Sequence, residues 1–419
     1  MPNIEHPART ATRSDPATPI GMGATLFAAV ELSLSSWVVV ASAPGTDKTS
    51  KHGLPACDGP GLVALLRRLR ERAERRCGRP VAVVVMQEAG RDGFWVHRLL
   101  EAHGIRSLVV DPSSIAVNRR SRRAKTDRID AEAMLRTLMA WARGERQVCS
   151  MVRPPSREAE DARRLGRERE ALLAERIRHA NRIKGLLATQ GVFDFEPTLR
   201  NRRARLAELR TPEGAALPPR LLAEIGRQVD RLELAMQQLA AVEAARDAAF
   251  ASERVVSPAA GKAGTRASGE GDAPAEALPG DEGPGARLLR LHGVGPETAS
   301  VLAGEAFFRD FRNRREVASY AGLAPSPWQS GGIDREQGIS KSGNARIRKT
   351  MGQLAWLWLR NQPDSALSTW YRERVRDGRG RVKRIAITAL ARKLLVALWR
   401  FVTHGLVPTG AVLKPAKAG

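Results

Sequence analysis

The sequence predicts an α/β fold in which a domain built on a mixed sheet is followed by a helical region and a mostly helical C-terminal domain. Three observations carry that expectation. Short apolar runs alternate with helical segments from Thr25 to Ala142, the pattern of a sheet covered by helices. Strand signals nearly vanish from Arg157 to Ser252, where Ala, Leu, Glu and Arg dominate. After a stretch of Gly, Pro, Ala and Ser, helical patterning resumes at Arg287 and runs to Val407.

Within the first domain, Leu26 to Glu31 and Trp37 to Ala41 read as strands separated by Ser33 to Ser36. Gly61 to Arg76 carries leucines at helical spacing (Leu62, Leu65, Leu66, Leu69). Val81 to Met86 is an unbroken apolar, β-branched run, as expected of a strand buried on both faces. Phe94 to His103 reads as a helix, Ser107 to Val110 as a short strand, and Asp127 to Ala142 as a helix.

In the helical region, Leu222, Ile225, Val229, Leu232, Met236 and Leu239 form a heptad seam, with a weaker one in Leu173, Ile177, Ala180 and Leu187. Pro218 and Pro219 break the two arms, so an antiparallel hairpin and a dimerising coiled coil both fit. The low-complexity stretch that follows cannot bury enough apolar surface to offset chain entropy and reads as a linker. The expected layout is a disordered tail at 1–22, a catalytic domain at 23–150, a coiled coil at 151–252, a linker at 253–286, a C-terminal domain at 287–410 and a tail at 411–419.

Charge narrows the partners. The 419 residues hold 69 Lys and Arg against 45 Asp and Glu, a net charge of +24, with a pI of about 11.2. Such an excess suits a polyanion, either an anionic membrane or a nucleic acid. The most apolar stretch, Ala24 to Ala43, is interrupted by Glu31 and four serines, short of the roughly 20 apolar residues that a span needs. The first 22 residues lack the apolar segment of a signal peptide, so a disordered tail on a cytoplasmic protein is expected, and nucleic acid is left as the partner. Cys57, Cys77 and Cys149 are widely spaced and match no zinc pattern.

Four carboxylates stand out by position. Glu31 ends the first strand, Glu88 follows the buried strand in MQEAG, and Asp127 and Asp130 in KTDRID sit three apart at a helix start, on one side. Acids at strand ends gather at one sheet edge, where ligands commonly bind. Carboxylate oxygens without His or Cys select hard ions such as Mg²⁺. Singly, each also reads as a strand-edge charge, a turn residue or a helix N-terminal acid. The run just before them, RRSRRAKTDR, places Arg119, Arg120, Arg122, Arg123 and Lys125 where a phosphate backbone could be brought to a metal.

The C-terminal domain adds LHGVGPETASVLAGEA, which has the form of a helix-hairpin-helix turn. There Gly293 and Gly295 could let backbone amides approach a phosphate. Downstream, YAGLAPSPWQSGGIDREQGISKSGNARIRK puts Ser330 before two glycines and leads into a basic helix with Lys341, Arg346, Arg348 and Lys349. From Ser340 to Arg400 there are fifteen Lys and Arg against three acids, which makes this the main polyanion surface. Spacing alone does not say which serine, if any, is a nucleophile, and no His lies near Ser330 in sequence.

Taken in order, the strand acid, EAG, KTDRID, the helical arms, GVGP, YAGLAP, SGG and ISKSGN resemble the transposases of the insertion-sequence one-ten family, DEDD-type recombinases guided by a bridge RNA. The resemblance implies a RuvC-like first domain with an RNase H fold, holding Mg²⁺ (two ions) on Glu31, Glu88, Asp127 and Asp130. It implies that Ser330 is the nucleophile, forming a covalent phosphoserine link to DNA, and that the metal site of one subunit serves the serine of another in a homo-oligomer. Where the family pattern usually has Asp, this chain has Glu31. A catalytically idle nucleic-acid-binding relic and a metal-only junction nuclease are the competing readings.

Overall fold

The structure is a computed structural model and describes residues 24–90, 93–115, 127–253, 282–330, 333–340, 342–376 and 378–414. It divides into two compact units, Met1–Pro154 and Pro155–Gly419.

The first unit is a six-stranded mixed sheet with helices on both faces. In chain order it runs β1 (Thr25–Leu32), β2 (Ser36–Ser42), β3 (Thr49–Pro55), α1 (Gly59–Cys77), β4 (Ala82–Glu88), α2 (Trp95–Ala102), β5 (Arg106–Val110), α3 (Asp127–Ala142) and β6 (Met151–Val152). The strand order is β3-β2-β1-β4-β5-β6. The pairs β1–β2 and β2–β3 are antiparallel, whereas β1–β4 and β4–β5 are parallel. Because side chains alternate across a strand, β1 and β4 feed two cores. Leu26, Ala28, Val30, Val83 and Val85 pack with α1 and α2. Phe27, Ala29, Val84 and Met86 pack with α3 through Met134, Leu135 and Leu138. This explains why β1 and β4 read as unbroken apolar runs.

Two strands of the first unit escaped the sequence reading, as did the β-hairpin of the second, Pro325–Ser330 with Ile333–Ile339. In Thr49–Pro55 most side chains face solvent and Leu54 alone packs on the core, so it carries no apolar run; a Lys on such an edge also guards against mispairing. Met151–Val152 is only a two-residue pairing with β5.

The second unit contains α4 (Arg157–Asp161), α5 (Arg164–Ala188), α6 (Arg202–Glu208), α7 (Pro219–Glu253), α8 (Pro284–Leu289), α9 (Pro296–Glu305), α10 (Arg314–Tyr320), β7 (Pro325–Ser330), β8 (Ile333–Ile339), α11 (Ala345–Asn361), α12 (Ala366–Val375) and α13 (Arg381–His404). Helices α5 and α7 lie antiparallel. Arg182 meets Glu224, His179 meets Gln228 and Arg169 meets Glu243, one partner number rising as the other falls. The seam of α7 is covered by its own chain, with Ile225, Val229 and Leu232 fully buried against Ile183 and Leu187. Two expected seam residues lie off it: Ile177 is 49% exposed, since the buried stripe of α5 runs through Leu172, Ala180 and Ile183, and Leu222 is 37% exposed in the first turn of α7. The expected linker also ends sooner than 286, because Pro284 opens α8 and Gly285 and Ala286 are buried.

Helices α8 to α13 share one core, centred on Trp358, Leu354, Leu390, Leu394 and Phe401, all fully buried. Among the described residues, no helix is long and apolar enough to cross a membrane.

Candidate active site

The carboxylates of the first unit are placed by strand register. The parallel pairing sets Thr25 opposite Ala82 and Val30 opposite Gln87, so the next step sets Glu31 opposite Glu88. Alternation puts both on the face of Phe27, Ala29, Val84 and Met86, the face that α3 covers. Both are half-buried. Asp127 and Asp130 form the first turn of α3 and lead into its buried stripe of Ala131, Met134 and Leu138. Asp127 is exposed and Asp130 half-buried. The structure thus draws the four expected acids as two pairs. Among the described residues, no group of three or more His, Cys, Asp or Glu is arranged to hold one ion.

One residue before Glu88, Gln87 turns to the opposite face and is completely buried, with neither end of its amide hydrogen-bonded to a described residue. A third strand-end acid, Asp111 after β5, was not singled out from sequence. Its Oδ1 accepts hydrogen bonds from Ser113 N (2.9 Å) and Ser113 Oγ (2.8 Å), so it serves the turn at Pro112–Ser114. The basic run with Arg119, Arg120, Arg122, Arg123 and Lys125 lies outside the described residues.

Ser330 occupies the last paired position of the β7–β8 hairpin, in register with Ile333. Gly331 and Gly332 lie outside the described residues. The base of the hairpin is held where two motifs meet. Ser340 N donates to Ala324 O at 2.9 Å, and Asn344 N donates to Tyr320 O at 2.8 Å. Two glycines make that approach possible. Gly322 (φ +66°) leaves no room for a Cβ against Ser342 O, and a Cβ on Gly343 (φ +114°) would stand 2.5 Å from Tyr320 O. The YAGLAP and ISKSGN motifs are therefore two halves of one clasp under the serine hairpin.

A buried carboxylate ties the clasp down. Glu305, only 4% exposed, accepts from Arg167 Nε at 3.0 Å, Asn344 Nδ2 at 3.0 Å and Arg346 Nη1 at 3.3 Å. Arg346 also pairs with Glu170. Burial works to raise the Glu305 carboxyl, but the hydrogen bonds from Arg167 and Asn344 and the nearby guanidinium of Arg163 outweigh it and leave the group below the usual range. Asn344 also caps α11, its side chain accepting from Arg346 N and Ile347 N.

These contacts give several expected nucleic-acid residues structural work. Arg346 is bound to two acids, Lys349 Nζ lies 3.7 Å from Glu170, and Arg348 Nη1 donates to Ala321 O. Lys341 lies outside the described residues. In the GVGP turn, Gly293 (φ +84°) makes its close approach to Asn361, whose Cβ would be 2.7 Å from an added Cβ, while Gly295 is open before α9.

Two family models match this chain. A transposase model of the DEDD type, named for IS110, covers residues 34–190, and the model for the transposase IS116/IS110/IS902 family covers residues 285–371. A Sinorhizobium fredii protein that carries a transposase name, y4rJ, is 51% identical over 94% of this chain and 96% of its own length. A Pseudomonas aeruginosa protein named as a family 20 transposase is 29% identical over 78% of this chain and 85% of its own. The transposase for insertion sequence element IS1328 of Yersinia enterocolitica is 23% identical over 78% of this chain and 86% of its own. On the strength of that 51% identity along nearly its whole length, the chain belongs to the IS116/IS110/IS902 family of transposases, the enzymes of insertion sequences.

Proposed function

We propose that this transposase cuts and rejoins DNA using a divalent-cation site in its first unit and Ser330 as nucleophile. The observation that carries the reading is Glu31 facing Glu88 at the ends of two parallel strands, on the face covered by the helix that begins with Asp127 and Asp130. An oxygen-only donor set of this kind suits a hard ion such as Mg²⁺. Glu31, Glu88, Asp127 and Asp130 would hold the metal, as two ions on the family's pattern. When bound, such ions neutralise charge on the attacking and leaving oxygens of a phosphodiester. The order β3-β2-β1-β4-β5 supports an RNase H-like, RuvC-like reading of residues 23–150.

At the serine, the Oγ–phosphorus bond forms as one phosphorus–oxygen bond of the DNA backbone breaks. The serine proton is lost and the departing sugar oxygen takes one up, leaving a phosphoserine diester and a free hydroxyl. Attack by a hydroxyl of another strand reverses the step and restores the serine. One phosphodiester replaces another each time, so the exchange needs no external energy. A bridge RNA pairs with donor and target DNA, and copies of the chain assemble, the helical arms at 151–252 providing contact, so that one copy's carboxylates serve another's serine.

Incubation with end-labelled DNA of the element, RNA transcribed from the element and Mg²⁺, followed by a denaturing gel, tests this. A covalent protein–DNA species should form with the native chain and be absent in Ser330→Ala and Asp127→Ala. An adduct that persists in Ser330→Ala removes the nucleophile. Cleavage without any adduct favours the metal-only nuclease instead.

A further inference from the structure

Helices α10, α12 and α13 and the segment after α13 enclose a groove of about 1270 Å³. Five cations line it: Arg314 and Arg315 on one wall, and Arg392, Lys393 and Arg400 along α13. No acid lines it, and among the described residues none of these four guanidinium groups is in an ion pair. Lys393 rests over the ring of Trp370 at 4.8 Å. The floor is apolar, formed by Leu367, Val396, Ala397 and Leu406. Arg392, Lys393 and Arg400 belong to the basic stretch that the sequence marks as the main polyanion surface, whereas Arg314 and Arg315 lie outside it.

We propose that the groove is a binding track for a DNA strand, which deepens the reading given above. Five like charges around one concavity are held apart from any counter-charge, so the occupant must supply it. The volume exceeds the roughly 300–1000 Å³ of small-molecule pockets, which points to an extended ligand. Arg392 to Arg400 spans about 12 Å of helix at 1.5 Å per residue, long enough to follow more than one phosphate of a strand. The apolar floor lowers the local dielectric and strengthens each phosphate contact, while offering a surface for sugar edges.

The test is binding, not strand exchange, so it is independent of whether Ser330 is the nucleophile. The full chain and two triple variants are titrated with a fluorescent single-stranded DNA between about 50 and 200 mM salt. One variant carries Arg392→Gln, Lys393→Gln and Arg400→Gln. The other carries Arg220→Gln, Arg227→Gln and Arg231→Gln on exposed α7 positions and has the same net charge. A double variant, Arg314→Gln with Arg315→Gln, probes the opposite wall, and melting curves confirm that each is folded. At about 0.7 per phosphate contact, the slope of log K against log salt should fall by about 2 in the groove triple, by about 1.4 in the double, and little in the α7 triple. Equal effects in both triples overturn the proposal. So does unchanged DNA binding in the groove variants, including the case where they lose affinity only for an acidic peptide or for RNA.

Discussion

Glu305 Oε2 accepts a hydrogen bond from Asn344 Nδ2 at 3.0 Å, which links the end of α9 to the residue that caps α11 and closes the clasp beneath the serine hairpin. The carboxylate therefore bears on the hairpin through Asn344.

Glu305→Gln keeps the shape but removes the charge that faces Arg167 and Arg346. Breaking a fully buried pair costs about 3–5 kcal/mol. Arg167 is 54% exposed, so water recovers part of that, and a loss of about 2 kcal/mol is expected. Calorimetry should show a fall in Tm of roughly 4–8 °C for a unit of this size. Covalent adduct formation at temperatures well below that Tm should drop further than the unfolded fraction explains.

The same group sets a pH dependence. Its folded-state carboxyl lies below the ordinary value of 4.5, so its contribution is complete above 4.5 and is lost as pH falls through the lowered value. Acid unfolding of the native chain should steepen below about pH 4.5, and Glu305→Gln should flatten that part of the curve. Parallel acid curves for the two chains would contradict the assignment.

Two glycine-to-alanine changes should move in opposite directions. Gly343→Ala meets both a positive φ and Tyr320 O, and should cost about 2–3 kcal/mol and abolish strand exchange. Gly185→Ala lies inside α5 with open space around it and should stabilise by about 0.5–1 kcal/mol. Urea midpoints measured side by side decide the sign.

Glu31→Gln removes one of two facing carboxylates. With Mg²⁺ the native chain should gain stability with ion concentration as a bound ligand requires, and the variant should gain less. Thermal shift titrations read this without any DNA.

Thiol labelling offers a check of the first unit's packing. Cys57 is exposed and should react at once, whereas Cys149 is buried, its thiol pushed up to about 11 by burial, and should stay unmodified until the unit unfolds. Mass spectrometry of partly labelled protein gives the order directly.

Much of this site could be read before any coordinates. Strand-end acids reveal themselves because a buried strand is an unbroken apolar run and the first charge after it marks the edge, as Glu31 and Glu88 do. What could not be read was that they face one another, since register depends on pairing between residues 57 apart in the chain. Glu305 was invisible for a related reason: its partners lie 138 and 39 residues away, and in sequence it only ends an apolar helix. Arg346 and Lys349 looked like free cations because nothing local announces Glu170. The β3 strand was missed because a solvent-facing edge needs no apolar alternation.

Gln87 and Glu88 stand back to back on β4, one sealed inside the α1–α2 layer and the other aimed toward α3. Length changes among the connections leading to β4 are therefore free to accumulate, whereas a single inserted or deleted residue within the strand would exchange the two. An amide would then stand where the acid belongs and a carboxylate would be entombed in hydrocarbon. Evolution of this enzyme can lengthen its loops at will, but it must keep count, odd or even, along one seven-residue ribbon.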